Sequence, residues 1–118
     1  MIDWILTDDD SHQHVRKIDD HTFKLIEIGL TDPDKQLFQV YTDTVCLSDY
    51  PEGEVGQIIR FFGYDSLDHV QKEYGDRANQ IIAECIFEHY GSFAAEPLAT
   101  GLPFEQARSF IEDYIKTR

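Results

Sequence analysis

A chain of 118 residues with 42% apolar and 13% aromatic content can bury one core and is too apolar for a disordered tail. Asp and Glu number 23 against 10 Lys and Arg, a net charge of −13 that repels a nucleic-acid backbone. No run of about 18 apolar residues is present, and MIDWILTDDD lacks the basic and apolar segments of a signal peptide. These features predict a soluble, cytoplasmic protein with no membrane partner and no direct nucleic-acid binding.

The acid excess is uneven. Up to Glu54 there are 13 acidic and 4 basic residues; the remainder has 10 and 6. Such a surface aids solubility and attracts a basic protein face. Cys46 and Cys85 lie within apolar patterns, as reduced core thiols do.

Residues 1–6, MIDWIL, read as a strand or a docked arm, and Thr7–Ser11 as a polar loop. His14–Ile18 reads as a short strand. His21–Leu30 is rich in β-branched and aromatic residues and reads as the next. Phe23 and Leu25 fall on one of its faces, Ile26 and Ile28 on the other. A strand apolar on both faces is central or covered twice. Thr31–Lys35 is a turn built around Pro33. Gln36–Leu47 follows as a strand, with Leu37, Tyr41 and Val45 on one parity and Phe38, Val40 and Cys46 on the other. The short connections predict an antiparallel meander.

At Ser48 the apolar period changes from two to 3.6. A helix starting at Ser48 or Asp49 carries Val55, Ile58, Ile59 and Phe62 as its stripe, and Gly63 ends it. Asp65 or Ser66 caps a second, with Leu67, Val70 and Tyr74 inward. The clearest helix runs from Asp76 to Tyr90. Ala78, Ile81, Ile82, Cys85 and Ile86 form its stripe, Asp76 is the candidate N-cap and Gly91 the stop. Gly75 either separates this helix from the one before or kinks a single long one. Residues 92–103 read as a connection, and Pro103 opens a last helix lined by Phe104, Ala107, Phe110, Ile111, Tyr114 and Ile115. Strands first and helices after predict one α+β domain over 1–118. Three to four strands occupy about 1–47, and three to four helices over about 49–117 pack on one face of the sheet.

Motifs are scarce. GxSxG, GxGxxG and GxxxxGK[ST] are absent. Alternation on an extended chain places Asp10, His12 and His14 on one side, the weak candidate for a metal site. Glu84 and Glu88 lie one turn apart and share a helix face, the pattern of a solvated surface. No cofactor is expected. Phe61 and Tyr64 fall off the stripe of their helix, and Asp65 and Asp68 rim them with charge. That combination predicts a protein-interaction patch. In size, acid excess and lack of a catalytic signature the chain is similar to accessory proteins of phages and conjugative elements, a likeness of composition. The expected function is a protein-binding or regulatory module, more a binder than an enzyme, engaging a protein partner or a second copy of itself. The alternatives are an acidic nucleic-acid mimic that inhibits a DNA-binding enzyme, and a metal-dependent enzyme using Asp10, His12 and His14.

Overall fold

The computed structural model describes residues 4–91 and 95–117. Five antiparallel strands form one sheet in the order β1-β2-β3-β4-β5. They are β1 (Trp4–Asp8), β2 (Gln13–Asp19), β3 (Thr22–Asp32), β4 (Leu37–Cys46) and β5 (Glu96–Leu102). Between β4 and β5 the chain forms α1 (Glu52–Phe61), α2 (Leu67–Tyr74) and α3 (Ala78–Tyr90); α4 (Phe104–Thr117) follows β5. The fold is α+β, and no helix among the described residues is long and apolar enough to cross a membrane.

The expected architecture needs two corrections. The sheet has five strands, because residues 96–102 of the expected connection pair with β4. Pro97 and Gly101 mark that stretch as a loop in sequence, yet an edge strand tolerates a residue with no N–H to donate, and the pairing is broken by irregular register. The helices also cover both faces of the sheet. Phe23, Leu25, Tyr41 and Val45 pack with buried residues of α1, α2 and α3. Ile26, Ile28 and Val40, of opposite parity, pack with Ala107 and Ile111 of α4. The double apolar parity of β3 requires this second cover.

Local chemistry explains the element ends. Ser66 caps α2, its Oγ accepting from the His69 N–H at 3.2 Å. Gly75, at φ 56°, turns the chain into a single 3-10 turn, Gly75–Arg77, so α2 and α3 are separate helices. Asp76 therefore sits inside that turn, and α3 starts without a side-chain cap. Gly91 stops α3 as expected, its N–H bonding to the Phe87 carbonyl. A 3-10 turn occupies Leu47–Asp49 and delays α1 until after Pro51. Cys46 and Cys85 are free thiols. The expected roles of residues 1–3 in an N-terminal strand, and of residues 92–94 in the connection after α3, fall outside the described residues.

The sheet separates two apolar clusters, so packing defects on its two faces are predicted to be independent. Ile86→Val and Ile111→Val should each cost roughly 0.5–1.5 kcal/mol. The double variant should equal the sum within about 0.5 kcal/mol, as measured by urea denaturation.

Candidate functional site

The buried strand positions facing α1–α3 are apolar except for Gln13 and Glu27. Glu27 shares the parity of Phe23 and Leu25 and is 4% exposed. A carboxyl group at such depth requires hydrogen-bond partners. The Tyr41 hydroxyl on β4 donates to Glu27 Oε2. Gln13 Nε2 on β2 donates to Glu27 Oε1 at 2.6 Å and to Glu88 Oε1 on α3 at 2.8 Å. Thr7 Oγ1 on β1 completes the chain by donating to Gln13 Oε1 at 2.7 Å. Four adjacent strands and one helix thus meet through one polar network.

Backbone and ring packing fix the geometry. A Cβ on Gly29 would stand 2.7 Å from Tyr41 Cε1, so the tyrosine ring lies over a residue that must lack a side chain. Phe87 of α3 stacks on the Tyr41 ring, with ring centroids 5.6 Å apart. Together they aim the hydroxyl at Glu27.

The network forms the inner end of a cleft of about 340 Å³. Its floor is Gln13, Glu84, Cys85 and Glu88; Phe62, Tyr64 and Tyr74 form an aromatic side. Tyr64 and Tyr74 pack edge to face at 5.9 Å, and their hydroxyls share a 2.7 Å hydrogen bond. Glu88 is exposed as a residue, but its carboxyl end turns inward to Gln13. Burial there, then the hydrogen bond and charge of Glu27, push its pKa up to about 8. Burial also raises Glu84, against the opposing Gln80 hydrogen bond and Arg77 charge. The Cys85 thiol is pushed up to about 11 by burial and by the two glutamates. It is a packing residue rather than a reactive thiolate. A groove of about 480 Å³ between the β2–β3 hairpin and the Gly75–Arg77 turn is larger, and two of its charges, Lys17 and Asp20, pair with each other at 3.1 Å.

The interaction residues expected from sequence divide. Phe61 projects from the end of α1 at 77% exposure, and its ring packs on His89 of α3 at 5.6 Å. Tyr64 is half-buried, tied to Tyr74 and packed edge-on to His69. Asp65 and Asp68 are exposed, and the Asp65 N–H bonds to His69 Nδ1 at 3.0 Å. Phe62, expected on the buried stripe, is instead 42% exposed at the lip of the cleft. The helix ends at Phe61, and the turn that follows lifts Phe62 off the sheet.

Of the Asp10, His12 and His14 alternation, folding brings together only the two histidines. His12 adopts φ 52° in the β1–β2 turn, so the chain is not extended there. The two imidazoles pack edge to face at 4.8 Å, and His14 Nδ1 lies 2.9 Å from the His12 carbonyl. His12 faces Glu112 of α4 at 3.7 Å, and burial lowers its pKa. Asp10 is exposed, its N–H bonded to Asp8. No group of three His, Cys, Asp or Glu among the described residues has a metal-binding arrangement. Glu84 and Glu88 do share a face, but that face lines the cleft. Gln13 and Glu27 are the site residues that sequence reading missed. An acidic residue in register with Phe23 and Leu25 was the available signal.

No protein-family model matches the chain, and no curated protein and no solved structure matches it.

Glu88 makes stability depend on pH in a defined direction. Its carboxyl binds a proton more tightly folded than unfolded. That contribution is complete below the unfolded carboxyl range and is lost as pH rises through about 8. The melting temperature of the wild type is predicted to fall between pH 5.5 and pH 9 by more than that of Glu88→Gln. Parallel melting curves for the two proteins would contradict the network.

Proposed function

We propose that the protein is a binding module whose recognition surface centres on the Phe61–Phe62 pair at the end of α1. The observation that carries this reading is the 77% exposure of Phe61 on a helix whose Ile58 and Ile59 are buried. Folding requires the two isoleucines to be apolar and makes no such demand on Phe61. Arg60 and Gln57 join Phe61 in lining a shallow groove of about 370 Å³. Aromatic and arginine side chains together are the chemistry of interface anchors. The half-buried Tyr64 follows the ridge in the chain, and the exposed Asp65 and Asp68 supply its charged rim. A net charge of −13 favours a partner with a basic face and speeds encounter with it.

The test starts from the tagged full chain as bait in its native host, with the retained protein identified and then purified. Phe61→Ser should leave the melting temperature within the range of a neutral surface change. It should weaken the measured affinity by roughly thirtyfold, since loss of one anchor removes about 2 kcal/mol or more. An intact variant with unchanged affinity and unchanged mass in light scattering would refute this surface. Tyr64→Ala is a fold probe instead, because it also removes the bond to Tyr74.

A further inference from the structure

The cleft beside Phe62 is concave, and of its ten lining residues three are aromatic and three acidic. Hydrogen bonding along its wall is lopsided. Thr7 Oγ1 donates to Gln13, and the Gln13 amide donates to Glu27 and Glu88. Tyr64 and Tyr74 bond to each other. Glu84 Oε2 accepts from Gln80 at 3.1 Å. Most of the wall's donors are thus spent on the wall itself, one tyrosine hydroxyl and the Cys85 thiol apart, whereas a carboxylate offers about four acceptor sites. Glu84 and Glu88, with Asp8 at the rim, keep acceptor capacity for an incoming donor. Three aromatic rings beside them favour a flat cation.

We propose that this cleft seats the guanidinium of an arginine presented by a basic protein partner, with Glu84 and Glu88 accepting its N–H groups and the Phe62–Tyr64–Tyr74 side packing on its plane. The proposal rests on the reading of the protein as a binding module and names the partner's chemistry. A guanidinium fits better than an ammonium, because its planar fork both stacks and donates to two carboxylates. A volume of about 340 Å³ lies at the lower end of the range for ligand pockets, enough for one long side chain. Phe62 joins the two surfaces, so a partner resting on Phe61 is positioned to insert an arginine.

Proton release accompanies this binding. The groups around the Glu88 carboxyl are Asp8 of β1, Gln13 of β2, Glu27 of β3, Tyr41 of β4, Tyr64, Tyr74 of α2, and Glu84 and Cys85 of its own helix. Arg77 acts on neighbouring Glu84. A guanidinium between Glu84 and Glu88 stabilises the ionised form of both. Binding therefore tightens as the pH rises and Glu88 loses its proton.

The experiment titrates the isotope-labelled full chain with N-acetyl-arginine N-methylamide and follows backbone amide resonances. Saturable shifts confined to Thr7, Gln13, Glu84 and Glu88 are expected, with binding about tenfold tighter at pH 9 than at pH 6. Glu84→Gln should weaken the probe by about tenfold, as loss of a charge-assisted pair does. Phe62→Ala, which leaves the polar network untouched, should weaken it as well. The lysine analogue should bind more weakly than the arginine probe. Absence of saturable shifts overturns the proposal, as do shifts spread over the acidic surface that persist in Glu84→Gln, and so does equal binding of the lysine analogue. The two readings fail separately. Probe binding in a protein whose partner affinity ignores Phe61→Ser supports the cleft and refutes the Phe61 surface. Loss of partner affinity in Phe61→Ser without probe binding does the reverse.

Discussion

Burial of a carboxyl group in the middle of a sheet is a constraint that few neighbours can satisfy. Leaving such a group without partners costs more than the net stability of a small domain supports. Glu27 sits among Phe23, Leu25 and the apolar face of α3, so its two oxygens must be met by protein donors. Tyr41 and Gln13 meet them from the two neighbouring strands. A slip of one residue in either strand would turn the donor to the other face of the sheet. The network therefore specifies register as well as filling space. Gln13 extends the constraint to Glu88, which sets how α3 lies across the strands.

The same arrangement creates a surface. Because Glu88 bends inward to Gln13, the helix face that it shares with Glu84 forms a floor rather than a solvated ridge. The end of α1 stands beside that floor and releases Phe62 to its lip. An aromatic row continues outward from Phe61 to His89, to Tyr90 at 5.0 Å and to Tyr50 at 6.1 Å. The Tyr90 hydroxyl donates to Glu54 and so ties this row back to α1. Rigid rings with bonded hydroxyls lose little freedom when a partner docks, which is what an efficient recognition surface requires.

Much of the fold was legible because apolar period reports directly on burial. The parity of β3 and β4, the stripe of α3 and all six inward residues of α4 are where their spacing placed them. Two features were hidden for definite reasons. β5 carries Pro97 and Gly101, which mark a loop unless the edge position of the strand is known. The second helical layer was implied by the double parity of β3, but strands-then-helices order suggested a single cover. The site was less legible than the fold. Phe61 stood out as an off-stripe aromatic residue, whereas Phe62 continued the stripe by spacing alone and left it at the turn. Gln13 and Glu27 are far apart in sequence from Glu88, and no local pattern joins them. Of the Asp10, His12 and His14 alternation, folding keeps the two histidines side by side, whereas Asp10 is left exposed in the turn before the left-handed His12.

The account depends on Glu88 being held by Gln13 and Glu27 at the base of the cleft. Direct observation of its carboxyl carbon by NMR, across a pH titration of glutamate-labelled protein, tests this most directly. Glu88 is predicted to titrate far above the ordinary carboxyl range, and Glu27→Gln to move it back toward that range. A Glu88 resonance that titrates in the ordinary carboxyl range, unchanged by Glu27→Gln, would contradict this arrangement.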